Sequence, residues 1–84
     1  MKYFKTPRHM FFSKFLWQVR NARGLSQAKM AEQLHISSRA LSNLETGKSL
    51  PGNETLLYLE MLLTQKERET MREGVLQCME EEER

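Results

Sequence analysis

The chain has 84 residues and one cysteine, Cys78, so we expect one small domain without disulfide cross-links, as suits a reducing cytoplasm. No apolar run approaches the roughly 20 residues that a membrane-spanning helix needs, which predicts a cytoplasmic protein with no membrane partner. The net charge of +2 hides an asymmetry, because residues 1–50 have a net charge of +7 and residues 51–84 a net charge of −5. The basic half favours a polyanion such as nucleic acid, although two solvated surfaces of opposite sign would give the same pattern.

The first nine residues lack a helical period and contain Pro7, so we expect a basic N-terminal arm over residues 1–9. Its Lys2, Lys5 and Arg8 would contact phosphates or a minor groove; the alternative is a disordered end. Apolar residues then recur at intervals of three and four, which predicts helix 1 over residues 10–23. Gly24 is placed to end that helix.

Two short helices with only three residues between them follow. Ser26 is a favourable N-cap for helix 2 over residues 27–34, and Ser37 caps helix 3 over residues 38–46. Leu41 and Leu44 would face the core from helix 3, and Gly47 would end it.

The second half predicts two more helices. After a turn at residues 51–52, Asn53 can cap helix 4 over residues 54–63, and Thr64 with Glu67 has the form of a capping box for helix 5, residues 65–79. An apolar stripe runs along helix 5: Met71, Val75, Cys78 and Met79. Residues 80–84 would be a frayed acidic tail. The expected fold is therefore all-α, with five helices in one domain over residues 10–79.

The outer face of helix 3 carries Ser, Arg and Asn where a surface helix usually carries Glu and Lys. Ser and Asn form helices less readily, but they offer short hydrogen-bonding side chains close to the backbone. Base edges in the major groove pair with such groups: Asn with adenine, Arg with guanine, and Ser with either. In a helix-turn-helix, the first helix crosses the phosphate backbone while the second lies in the groove. Gln27 and Lys48, at the start of helix 2 and after helix 3, are placed to meet phosphates.

The segment from about residue 16 to residue 63 resembles the Cro/repressor-type (Xre-like) helix-turn-helix DNA-binding family. Many spaced positions agree at once: Arg20, RGLSQ at 23–27, Ala31, Leu34, Ile36, Ser37, Leu41, LETGK at 44–48, Pro51, Leu56, Leu59 and Leu63. The resemblance implies a five-helix, lambda-repressor-like domain that binds two-fold DNA operators as a homodimer.

Carried over by position, the resemblance implies a set of DNA contacts. Base contacts would come from Ser37, Ser38, Arg39, Ser42 and Asn43. Phosphate contacts would come from Gln27, Thr46 and Lys48. It also pairs Arg20 with Glu45, and we favour a structural ion pair over direct DNA contact, because both residues have core neighbours. His35 stands in the turn where the family most often has Gly, so we expect a left-handed backbone there, with local strain.

The function that this pattern predicts is sequence-specific binding of double-stranded DNA by a small transcriptional regulator, most simply a repressor that covers a promoter. An alternative is an antitoxin-type module that binds a partner protein through helix 5 as well as its own operator, and another is a DNA-free adaptor with helix 3 covered. The helix 5 stripe would either fold back within the protomer or form a homodimer interface with helix 4. We expect no enzyme activity, metal site or cofactor, because the two His and one Cys lack ligand spacing and Cys78 has no base beside it.

Overall fold

The computed structural model describes residues 5–83, which form five helices and no strand. The helices are α1 (Pro7–Ala22), α2 (Gln27–Gln33), α3 (Ser38–Glu45), α4 (Asn53–Leu62) and α5 (Gln65–Glu82). The all-α prediction with five helices is confirmed. No helix in this part of the chain has the length and hydropathy to cross a membrane.

Helix α1 begins three residues earlier than predicted. The Thr6 side chain accepts a hydrogen bond from the His9 backbone N–H and caps the helix, and Pro7 fills its first position. Proline suits that position because its φ is already helical and its missing N–H would have had no partner. The boundary predicted at residue 9 for an extended arm is therefore wrong. Lys2 lies outside the described residues.

Serine N-caps set the start of both α2 and α3. The hydroxyl oxygen of Ser26 accepts from the Lys29 N–H at 3.1 Å, and that of Ser37 accepts from the Ala40 N–H at 3.0 Å. Both predicted N-caps are confirmed. Each satisfies one of the backbone donors that the first turn of a helix leaves without a partner.

The core lies where α1 meets α3 and α5 and where α2 meets α3. Five large side chains are almost fully buried: Leu16, Met30, Leu34, Leu41 and Leu59. Truncating one of them to Ala is expected to cost about 2–5 kcal/mol, because the surrounding structure closes a cavity only in part. This core fixes the orientation of α3 relative to α1 and α2.

Helix α4 starts one residue before its predicted start. Gly52, in extended conformation, takes the N-cap position and provides no side-chain hydrogen bond, so the prediction that Asn53 caps the helix is wrong. Asn53 is instead the first helical residue and is exposed.

Helix α5 folds back onto α1 within the protomer. Thr64 and Glu67 form the predicted capping box at its start. Met71 and Cys78 are buried, and the half-buried Val75 packs against the core, whereas Met79 is 44% exposed and departs from the predicted stripe. The apolar stripe is thus largely used inside the protomer.

An ion pair between Arg8 and Glu82 joins the start of α1 to the end of α5, with Arg8 Nε 3.0 Å from a carboxylate oxygen. This hydrogen bond lowers the pKa of Glu82. Helix α5 therefore continues through Glu82, and the expected frayed tail over residues 80–83 is wrong for the described part. Repulsion among the acids is offset locally by the cation on α1.

Candidate nucleic-acid interface

The turn between α2 and α3 is a Schellman-type C-cap. The Ile36 N–H donates to the Ala31 carbonyl at 3.0 Å, and the His35 N–H donates to the Glu32 carbonyl at 3.2 Å. His35 has a φ of 60°, as predicted for this position. Its ring stacks on Tyr58 of α4, with centroids 3.9 Å apart. His35, whose backbone is strained, therefore also connects the turn to α4 through its side chain.

The outer face of α3 presents polar side chains whose hydrogen-bonding groups are not used within the protomer. Leu41 and Leu44 are buried on the inner face. Arg39 and Ser38 are exposed, while Ser42 and Asn43 are half-buried. Among residues 5–83, none of these four polar side chains forms a hydrogen bond or ion pair with another residue. The face therefore has donors and acceptors to offer a ligand.

Ser37 stands at the N-terminal edge of the same face. Its hydroxyl oxygen accepts the capping hydrogen bond from Ala40, so the O–H remains a donor. All five residues predicted to contact bases thus lie on α3 or at its N-cap.

Among the residues predicted to contact phosphates, Gln27 and Thr46 already form side-chain hydrogen bonds within the protomer. The Gln27 side-chain amide donates to Glu45 at 3.1 Å, which leaves its second N–H and its backbone N–H. The Thr46 hydroxyl donates to the Ser42 carbonyl at 2.9 Å, so a phosphate contact from its hydroxyl would require this bond to break. Lys48 is exposed, directly after the turn at Gly47.

The structure brings Arg20 and Glu45 together in a two-point ion pair. Arg20 Nε lies 2.8 Å from one carboxylate oxygen of Glu45 and Nη2 lies 3.1 Å from the other. This hydrogen bonding raises the pKa of Arg20, against the opposing effect of burial. The Glu45 side chain is only 4% exposed, so the pair compensates a charge that burial would otherwise make costly.

The ion pair belongs to a cluster that joins the first three helices. Arg20 lies on α1 and also donates to the Leu25 carbonyl, Gln27 lies on α2, and Glu45 lies on α3. Ser13, which the sequence analysis missed, donates from its buried hydroxyl to the Glu45 backbone carbonyl. Its position seven residues before Arg20, two turns along the same face, was the available signal. The cluster holds the helix-turn-helix rigidly against α1.

A third ion pair between helices, which the sequence analysis missed, connects the end of α1 with the start of α5. Arg23 Nη1 lies 3.0 Å from a carboxylate oxygen of Glu67, and Nη2 also donates to the Leu62 carbonyl. The Arg23 hydrogen bonds lower the pKa of Glu67 to about 2. Because the partners are 44 residues apart in the chain, no short sequence motif predicts this contact.

Cys78 offers no reactive thiolate in this structure. Burial raises the pKa of its thiol, and the nearby Glu81 and Glu82 raise it further. The thiol is therefore protonated near neutral pH, and its side chain is buried.

Two short helices joined by a tight turn, with an outward polar face on the second, define a helix-turn-helix protein. Residues 18–67 match a family model described as helix-turn-helix, and the chain belongs to this Xre-like family of DNA-binding regulators. The chain is also similar to the HTH-type transcriptional activator BcrR of Enterococcus faecalis, with 43% identity over 47 residues. That match covers 56% of this chain and 23% of the relative, so the chain spans less than a quarter of the relative's length. No solved structure matches the chain.

Proposed function

We propose that the protein binds specific double-stranded DNA sites and reads bases in the major groove with the outer face of α3. The observation that carries this proposal is the set of unused hydrogen-bonding side chains on that face: Ser38, Arg39, Ser42 and Asn43. Arg39 and Asn43 stand one turn apart and are the main readers, because each can make two hydrogen bonds to one base. The O–H of Ser37 adds a donor at the helix start.

Phosphate contacts from Gln27, Thr46 and Lys48 would position this face in the groove. Gln27 contributes its remaining N–H groups, and Lys48 contributes a charge at the exit of α3. Thr46 is the weakest of the three, because its hydroxyl already caps the end of α3. Arg20 and Glu45 act indirectly, since their ion pair holds Gln27 and α3 in register.

The proposed assembly is a homodimer whose two α3 helices enter successive major grooves, about 34 Å apart. The α5 stripe is largely occupied by α1, so the interface would lie on α4. Leu57 and Met61, one turn apart, are 63% and 80% exposed. Burying such side chains contributes about 1.5–3 kcal/mol each, which favours association through this face.

The proposed regulatory role is repression by covering a promoter. This role is proposed because it requires DNA binding and no further activity. The relative's name indicates activation, so a promoter–reporter assay with the selected site is the measurement that separates the two.

An antitoxin-type role would require a partner surface on α5 other than the buried stripe. Leu76 and Met79 are exposed there.

Selection of bound sites from random DNA, followed by titration at several salt concentrations, tests the proposed function. We expect one enriched, two-fold symmetric sequence, and a Kd that rises steeply with salt because phosphate contacts release counterions. Binding that shows no sequence preference would contradict base reading by α3.

A further inference from the structure

An exposed face of α1 lies beside the Glu45 cluster. Lys14, Trp17, Gln18 and Asn21 are spaced at i, i+3, i+4 and i+7, and all four are exposed. Trp17 is 53% exposed, although it is the largest aromatic residue in the chain. Three of these side chains, Lys14, Trp17 and Gln18, line a shallow groove. Its other lining residues are Ser13 and Glu45. A flat ring beside a cation is therefore presented at the junction of α1 and α3.

This face is continuous with the proposed DNA interface. Glu45, which lines the groove, accepts the hydrogen bond from Gln27, and Thr46 and Lys48 follow it in the chain. The Ser13 hydroxyl bonded to the Glu45 carbonyl fixes α1 against the end of α3. The α1 face and the proposed phosphate-contacting residues thus meet at one point.

The charge of α1 favours an anionic partner for this face. Its sequence contains no Asp or Glu. Arg8 and Arg20 are paired with Glu82 and Glu45, whereas Lys14 forms no ion pair with any residue between 5 and 83. Because Arg20 balances the nearby Glu45, the Lys14 ammonium contributes a net positive charge there.

We propose that Lys14, Trp17 and Gln18 form an additional contact with the sugar–phosphate backbone of the same DNA whose bases α3 reads. Lys14 and the Gln18 amide donate to phosphate oxygens, and the Trp17 ring lies against the sugar edge with its indole N–H available to a phosphate. The contact is independent of sequence and extends the footprint beyond the helix-turn-helix. This inference rests on the proposed function.

The test uses the full chain, the DNA site selected with the unmodified protein, and two variants that remove one exposed cation each. Lys14→Ala should weaken binding to matched and unmatched sites by the same factor and reduce the slope of log K against log salt by about 0.9, one phosphate contact. Arg72→Ala, an exposed cation on α5, is the matched control and should keep the slope.

A second readout uses Trp17, the only tryptophan. Its quenching by acrylamide, measured at fixed protein concentration, should fall when the selected DNA is added. An unchanged Lys14→Ala slope, or a Trp17 that stays equally open to acrylamide in the complex, overturns the inference. Protection of Trp17 by raised protein concentration without DNA would instead assign the face to a second copy and also overturn it. If the protein selects no DNA, the proposed function itself fails, so the two failures are distinguishable.

Discussion

His35 occupies the only left-handed position among residues 5–83 that is not filled by glycine. The helices α1 and α3 end with the same type of cap, at Gly24 and Gly47, and glycine adopts this left-handed conformation without strain because it has no Cβ. A non-glycine residue in this conformation costs about 1–2 kcal/mol. The stack of His35 on Tyr58 offsets part of that cost, since aromatic pairs contribute about 0.5–1.5 kcal/mol.

A double-mutant cycle tests this compensation. In the unmodified protein, His35→Gly should change the free energy of unfolding by less than about 1 kcal/mol, because relief of strain and loss of the stack oppose each other. In a Tyr58→Leu background there is no stack to lose, so the same change should stabilise the protein by about 1 kcal/mol. Urea denaturation measures both values. Equal effects of His35→Gly in the two backgrounds would show that the stack contributes nothing.

At the scale of elements, α5 packs closely against α1 at Gly74. A Cβ built there would lie 2.1 Å from the ring of Phe11, which itself packs against Phe12 and Phe15. The glycine is thus required by the approach of two helices rather than by its backbone conformation. This contact explains why a glycine interrupts an otherwise regular helix.

The sign of the stability change caused by Gly74→Ala tests whether α5 packs on α1. In an isolated helix the change would stabilise by about 1 kcal/mol, because Ala is the better helix former. Against Phe11 we expect net destabilisation of about 1–2 kcal/mol from overpacking. Thermal unfolding measures the change, and Gln77→Ala, at an exposed position of the same helix, is the control for a change of helix propensity. A raised Tm for Gly74→Ala would contradict the intramolecular docking of α5.

The Arg23–Glu67 pair makes the docking of α5 depend on pH. The folded-state pKa of Glu67, about 2, lies below its ordinary 4.5. The pair's contribution is therefore complete above pH 4.5 and is lost as the pH falls towards 2. Glu67→Gln should cost about 1–3 kcal/mol at pH 7 and almost nothing near pH 2, because glutamine keeps the capping box but not the charge.

Unfolding curves between pH 2 and pH 7 check this prediction. Glu69→Gln is the control, because it removes an exposed carboxylate of the same helix that forms no ion pair among residues 5–83. A constant difference between Glu67→Gln and the unmodified protein across that range would contradict the assigned role of the ion pair.

Sequence patterns predicted the elements whose signals are local. Ser26, Ser37 and Thr64 cap helices through partners three residues away, so short windows contain the whole interaction. The start of α1 was misplaced because Pro7 was interpreted as a helix breaker, although proline suits the first position of a helix. The start of α4 was misplaced by one position because Asn53, expected to be the N-cap, is the first helical residue. The order of the tail and the Arg23–Glu67 pair depend on partners far apart in the chain, and so does the Arg8–Glu82 pair; periodicity cannot identify such partners. For the candidate site, the sequence predicted which residues lie on the outer face of α3. It did not predict that the side chains of Gln27 and Thr46 form hydrogen bonds within the protomer.

At the scale of the whole molecule, the faces proposed for partners are the α3 face, the α1 face beside it and the α4 face. The α3 face is polar, and the α4 face carries Leu57 and Met61. If the α4 face forms the dimer, Met61→Lys should shift the protein from dimer to monomer, because a charge would be buried at the contact. Met79→Lys, on α5, should leave the equilibrium unchanged. Light scattering at high micromolar concentration measures it, and a monomeric unmodified protein would contradict the α4 interface.

The central claim, that α3 reads bases, is tested most directly by binding of Arg39→Ala to the selected site and to versions changed at each base pair. We expect a loss of about 1–3 kcal/mol on the selected site, with discrimination relaxed at one base pair only. Lys48→Ala in the same titrations should weaken binding to all versions alike. If Arg39→Ala keeps both the affinity and the sequence preference of the unmodified protein, the outer face of α3 is not the reading surface.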